Sequence, residues 1–190
     1  PANIETLCEI AKEEGASFDP RLVRVMLPYA GKTRVHAIYV DGEGFPPRHD
    51  QVPAKRCLMY GSSLTHGQTG LTATRGYAMQ TARRLGMDLF NLGFGSGAHC
   101  ESEIAEYIAA RDDWDIAFFE MGINMVYTFD VEAFARRVRF MVGRIAKAHR
   151  NKWIFCTDLF RFEGDFFSPS HPGMGKQNEF REVVASVVEE

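Results

Sequence analysis

The chain is 190 residues long, 45% apolar and 25% charged, with a formal net charge of −3. Those values fit one globular domain with or without a small appendage, and they argue against nucleic acid or an anionic membrane as the principal partner. No apolar run approaches the ~20 residues that span a bilayer, and no basic-then-apolar leader opens the sequence, so the expectation is a cytoplasmic protein.

Residues 3–14 read as a short helix with Leu7, Ile10 and Ala11 on one face, Asn3 as its N-cap and Gly15 as its stop. Two alternating runs, 22–27 and 34–40, separated by the turn-like stretch 28–32, read as antiparallel strands, with His36 facing solvent. Residues 41–53 are rich in Pro, Gly and charge and lack periodicity; they read as a linker or surface loop, and the domain boundary is placed there. This divides the chain into an N-terminal segment, 1–53, and a larger unit, 54–190.

From residue 56 the pattern alternates strand and helix, the mark of a parallel sheet covered by helices. Strands are expected at 56–60, 88–92, 116–120 and 152–157. Helices are expected at 74–85, burying Tyr77, Ala78, Ala82 and Leu85, and at 101–111. A third follows the cap Asp130, with Phe134, Val138, Met141 and Ile145 on its buried face, and a last one covers 176–190, burying Phe180, Val183, Val184 and Val187. Residues 158–175 read as a long Phe/Pro/Gly/Ser loop at the sheet edge where ligands bind. The four cysteines, Cys8, Cys57, Cys100 and Cys156, show no paired spacing and read as free thiols. The six histidines lack HxH or HExxH spacing, so no metal site is expected, and no cofactor is expected either.

Three successive strands end in unusual loops, and in a parallel sheet all three ends lie on one edge. The first offers two hydroxyls, Ser62 and Ser63, on a tight turn. The second offers Gly93-Phe94-Gly95-Ser96-Gly97, whose backbone can approach a substrate closely. The third offers the neutral carboxamide of Asn124. A nucleophile with two hydrogen-bond donors can hold the oxyanion of an acyl-transfer intermediate.

With these loops in order, the chain resembles the SGNH (GDSL-type) hydrolases, esterases and acyltransferases on a flavodoxin-like three-layer α/β fold. Their first block is matched by Gly61-Ser62-Ser63-Leu64-Thr65, the second is approximated by Asn91-Leu92-Gly93-Phe94-Gly95-Ser96-Gly97, and the third is matched by Gly122-Ile123-Asn124. The resemblance implies that Ser63 is the nucleophile. Oxyanion donors would come from the backbone of Ser63 and the Gly95–Gly97 loop, with Ser96 at the family's glycine position, and from the Asn124 side chain. It is similar in particular to a bacterial subgroup with a β-sandwich before the catalytic unit, which makes residues 22–53 the remnant of such a sandwich. The family's fourth block, Asp-x-x-His, has no match after the last helix. His171, in Ser170-His171-Pro172-Gly173, is the late candidate for a base, while His66 and His99 read as substrate-lining or structural. The expectation is therefore a C-terminally incomplete catalytic unit whose triad is completed beyond Glu190. The substrate implied is a small-molecule or carbohydrate ester, with no nucleic acid and no membrane; homo-oligomerisation is left open. Acyl transfer is the neighbouring reaction. Two rivals are a non-catalytic carbohydrate-binding module with an aromatic platform at 160–167, and a mononucleotide-binding flavodoxin-like protein. The second lacks GxGxxG spacing and a Walker lysine.

Overall fold

Residues 3–16, 19–26, 33–68, 70–166 and 175–190 are described in a computed structural model of the chain. In chain order the elements are α1 (Ile4–Glu13), β1 (Arg56–Gly61), α2 (Ser63–His66), α3 (Tyr77–Arg84), β2 (Asp88–Gly93), α4 (Ser102–Ala109), β3 (Ile116–Glu120), α5 (Val131–Ala148), β4 (Trp153–Thr157) and α6 (Gln177–Glu189). The four strands form one sheet in the order β2-β1-β3-β4, and every pairing is parallel. The chain thus leaves β1 toward β2 and returns on its other side as β3, which puts the topological switch point, and its crevice, beyond the ends of β1 and β3.

Strand β1 has neighbours on both sides, and Cys57 to Tyr60 are at most 1% exposed. Alternation assigns its side chains to two cores. Cys57 and Met59 pack with Ala78, Ala82 and Met87 under α3. Leu58 and Tyr60 join Ala117, Phe119 and the inner faces of α4, α5 and α6 on the opposite side. The result is the expected three-layer α/β arrangement. Helix α5 follows the 3.6-residue period from its cap, where Asp130 Oδ1 accepts the Ala133 N–H at 2.6 Å, and Phe134, Val138, Met141 and Ile145 are fully buried. Phe180 of α6 stacks on Phe134 with ring centroids 4.0 Å apart. Among the described residues, no helix is long and apolar enough to cross a membrane.

Three expectations are corrected. The antiparallel strands at 22–27 and 34–40 are not formed: the described residues of these runs, 22–26 and 34–40, pair with nothing as strands, and Val23, Ile38 and Tyr39 are 84%, 72% and 93% exposed. A two-stranded ribbon is marginal in water unless another layer covers it, so alternation alone does not make a sheet. Residues 27–32, including the intervening turn, lie outside the described residues. Helix α3 begins at Tyr77 because Ala73–Arg75 forms a separate 3₁₀ turn closed by Gly76. Tyr77 and Leu85 then fall at the ends of the helix and are 38% and 50% exposed rather than buried. Finally, residues 63–66 form a single helical turn that the sequence pattern did not show.

After β4 the chain is anchored by Arg181 of α6. Its guanidinium holds both oxygens of Asp165 at 2.7 and 2.8 Å and donates to the Leu159 carbonyl at 3.0 Å. The Arg181 hydrogen bonds hold the Asp165 carboxyl below the usual carboxylate range.

Two predictions concern this scaffold. Phe180→Ala should destabilise the chain by about 3–5 kcal/mol, read from urea unfolding midpoints. For Asp165, a folded pKa below the unfolded one gives stability that is full above the ordinary carboxylate pKa of about 4 and fades as pH falls through the lowered value. Arg181→Gln should therefore be less stable than wild type at neutral pH, and the gap should close in acid. A gap independent of pH would contradict the ion pair.

Candidate active site

The turn after β1 is built around a missing side chain. A Cβ on Gly61 would lie 2.2 Å from Thr65 Oγ1 and 2.6 Å from Glu120 Oε2, so only glycine fits there. Ser62 follows, 1% exposed, with its hydroxyl accepting the Leu64 N–H at 3.2 Å as the cap of α2. Its own N–H donates to Glu120 Oε2 at 2.6 Å. Ser63 is the first residue of α2 and is half-buried; its hydroxyl makes no hydrogen bond among the described residues. The two serines are therefore unlike: one hydroxyl is used to cap the turn, the other is unengaged. Thr65, fully buried, donates its hydroxyl proton to Glu120 Oε2 at 3.1 Å, and the Tyr77 hydroxyl lies 2.5 Å from Thr65 Oγ1. Desolvation of its hydroxyl end pushes the Tyr77 phenol up to about 12, so it stays protonated, and because Thr65 gives its one proton to Glu120 the Tyr77 hydroxyl is the donor between the two.

The loop after β2 is pressed onto this turn. A Cβ on Gly93 would stand 2.2 Å from the His66 nitrogen and 2.6 Å from its Cα, so the close approach again requires glycine. The Asn91 carboxamide donates to the Thr65 carbonyl at 3.0 Å and accepts the Gly93 N–H at 2.8 Å. The Phe94 N–H donates to the Gly61 carbonyl at 2.7 Å. Beyond it, Ser96, Ala98 and Cys100 all adopt left-handed backbone angles, at φ 57°, 58° and 51°. Such angles cost non-glycine residues about 1–3 kcal/mol each and persist only where the surroundings enforce them. Here the Cys100 N–H donates to the Tyr60 hydroxyl at 2.8 Å, and Glu101 Oε2 accepts from the His99 N–H at 3.1 Å and from the Tyr60 hydroxyl at 3.3 Å. Arg137 of α5 donates to the His99 carbonyl at 3.1 Å. Ser96 thus takes the backbone angle that a glycine would take, and both Gly95 and Ser96 are exposed at the edge.

Asn124 joins the third exit to the second. Gly122, at φ 117°, turns the chain after β3, and the Asn124 carboxamide donates to the carbonyls of Phe94, at 3.3 Å, and of Gly97. Both of its recorded hydrogen bonds brace the β2 loop. The loop after β4 adds an aromatic wall: Phe160 meets Tyr77 edge-on at 5.8 Å, and Phe162 meets Tyr127 at 5.7 Å.

The structure thus brings Ser63, Ser96, Gly97 and Asn124 onto one edge of the sheet. It does not bring a base to Ser63 among the described residues. The His66 ring bonds the Gly93 carbonyl at 3.1 Å. His99 lies near Glu101 and packs on Phe129. His171 and residues 167–170 of the aromatic loop lie outside the described residues. No three His, Cys, Asp or Glu side chains among the described residues are grouped to hold a metal. The thiols of Cys57 and Cys100 are pushed up to about 12 by burial, and that of Cys156 to about 11, which leaves them poor nucleophiles. Sequence reasoning missed Glu120, and with it the Thr65–Tyr77 pair. Its one signal was an acidic residue closing the apolar run Ile116-Ala117-Phe118-Phe119.

A search of curated proteins found no match. Among solved structures, a protein from Bacteroides ovatus described as a GDSL-like lipase superposes with a TM-score of 0.60 at 22% identity, over 73% of this chain and 40% of that one. The salicylyl-acyltransferase SsfX3 of a tetracycline biosynthetic pathway gives 0.61 at 22% identity, over 71% and 38%. A family two carbohydrate esterase from Clostridium thermocellum, solved with cellohexaose, gives 0.50 at 16%, over 71% and 49%. The chain spans less than half the length of each of these proteins, and at these identities the likeness is one of fold. The model of the GDSL-like lipase/acylhydrolase family matches residues 54–190, everything from the first strand of the sheet onward, and the chain belongs to that family.

Proposed function

We propose that this chain carries the core of a serine esterase that hydrolyses carboxylic esters, with Ser63 as nucleophile. The observation that carries the reading is the contrast between the two serines. Ser63 presents a half-buried hydroxyl at the switch point that no described residue engages, whereas the Ser62 hydroxyl is consumed in capping. Family membership supports the same reaction class.

In this reading Ser63 Oγ attacks the ester carbonyl, and its proton passes to a base that the described residues do not include. Charge then develops on the carbonyl oxygen. The donors for it are the Ser63 N–H, the Ser96 N–H or a Gly97 N–H that gives up its 3.2 Å bond to the Phe94 carbonyl, and the Asn124 carboxamide. The left-handed turn at Ser96 sets the direction of the peptide groups around it. Asn124 spends its hydrogen bonds on Phe94 and Gly97 here; one of them must turn to the oxyanion when substrate arrives. A carbohydrate ester is the substrate class we favour, because a carbohydrate esterase is among the structural neighbours. The salicylyl-acyltransferase neighbour supports transfer to an alcohol acceptor as the alternative fate of the acyl-enzyme. The reading keeps residues 1–53 apart from the catalytic unit, since the whole sheet and every proposed site residue fall after Pro53.

The test is hydrolysis of p-nitrophenyl acetate and covalent labelling by a fluorophosphonate, followed by intact mass. Ser63→Ala should abolish both. Ser62→Ala should keep the labelling while losing roughly 1 kcal/mol of stability, the value of a helix cap. Labelling that survives Ser63→Ala defeats the proposal. Asn124→Ala should lower kcat by about 10²–10³, the usual cost of one oxyanion donor, with KM little changed. A change confined to KM would remove Asn124 from the oxyanion site.

A further inference from the structure

Glu120 closes β3 with 2% of its surface exposed, yet none of the ion pairs among the described residues includes it. Burying a carboxylate costs several kcal/mol unless donors satisfy it. Filling the space alone would be achieved at less cost by an apolar side chain. The donors it has are specific: the Ser62 N–H at 2.6 Å and the Thr65 hydroxyl at 3.1 Å, the latter backed by Tyr77. These residues flank Ser63, one just before it and one two residues after it. Space for the carboxylate exists because residue 61 carries no Cβ.

We infer that Glu120 is a positioning residue for Ser63: by gripping Ser62 and Thr65 it fixes the turn that bears Ser63, and with it the direction of the Ser63 hydroxyl. This rests on the reading of Ser63 as the nucleophile. The chain of donors runs one way, from the Tyr77 phenol to Thr65 Oγ1 and from Thr65 to the Glu120 oxygen. Thr65 has one proton, and it is given to the carboxylate, so Tyr77 supplies the bond between the two hydroxyls. The Ser62 N–H reaches the same Glu120 oxygen at 2.6 Å, so both grips converge on Oε2. Three separate elements, β1, β3 and α3, are thereby locked to a single turn of helix. Loss of the grip should misplace the nucleophile without removing any group that touches substrate, which lowers kcat and leaves KM in place.

The experiment uses the whole 190-residue chain with p-nitrophenyl acetate and the fluorophosphonate probe, at matched folded fraction by circular dichroism. Glu120→Gln should lower kcat and the labelling rate by about 100-fold with KM unchanged, the scale of a displacement of about 1 Å. Thr65→Val should lower kcat in the same direction, and Thr65→Ser, which keeps the hydroxyl, should restore it. Glu120→Gln as active as wild type, with Ser63→Ala silent, overturns this inference and leaves the nucleophile reading intact. So does a fall in melting temperature with kcat of the folded fraction unchanged. If Glu120→Gln does not fold, Thr65→Val against Thr65→Ser decides, and equal kcat values overturn the inference. Rates and labelling indifferent to Ser63→Ala overturn both.

Discussion

A carboxylate from β3 occupies the space that a side chain on β1 would need. In the sheet register Tyr60 lies opposite Phe119, so Gly61 and Glu120 are the next residues of the two neighbouring strands. With no Cβ at 61, the Glu120 oxygen comes within reach of the turn beyond β1 and bonds it twice. That turn is therefore not a free loop. It is tied to β3 by Glu120, to α3 by Tyr77, and to β2 by Asn91 and by the bare face of Gly93. Loops that carry chemistry are ordinarily the more mobile parts of a fold, and a reacting hydroxyl gains from being an exception.

The same economy holds for the loop after β2. Three left-handed residues in five positions would unwind if nothing held them. Their partners come from four different elements: the Tyr60 hydroxyl from β1, Glu101 from the start of α4, Arg137 from α5 and Asn124 from beyond β3. Tyr60 does two tasks. Its ring is core, packed edge-on against Phe119 at 6.1 Å, and its hydroxyl receives the Cys100 N–H. Core packing and loop geometry are thus coupled through one side chain, which fixes the loop after β2 to the centre of the sheet rather than to its surface.

How much of this was legible follows from what each signal depends on. The four strands and the long helix α5 were readable because burial on a fixed face demands a fixed period, and Phe134, Val138, Met141 and Ile145 obey it without exception. The run from Leu22 to Val40 shows that period equally well and forms no strand among its described residues. Alternation records what a strand could bury, and among the described residues of this run Val23, Val25, Ile38 and Tyr39 stay exposed. Of the proposed site, Ser63, Ser96, Gly97 and Asn124 were visible as turn chemistry at strand ends. Choosing between Ser62 and Ser63 from the residues alone was not feasible, since both are serines in one turn; the cap bond to Leu64 and the deeper burial of Ser62 distinguish them. Glu120 was hidden for a related reason. An acidic residue at the end of an apolar strand looks the same whether it leaves the core or is gripped inside it.

The outer strand shows why the site sits where it does. On one face of β4, Trp153 and Phe155 are 73% and 45% exposed, and Phe155 stacks on Phe118 at 4.8 Å and on Trp153 at 6.4 Å. On the inner strands the burial is nearly complete, and it is the ends of β1 and β3 that carry Ser63, Glu120 and Asn124. Rigidity at the edge of a sheet is borrowed from the layers on either side, so chemistry requiring a fixed hydroxyl belongs on strands flanked by others. β4 contributes differently, through the chain that leaves it. Leu159 packs against Gly122, Phe160 crosses to Tyr77, and Arg181 pins the same segment from α6. The outer strand thus returns a wall of side chains to the edge where the inner strands hold Ser63, Glu120 and Asn124.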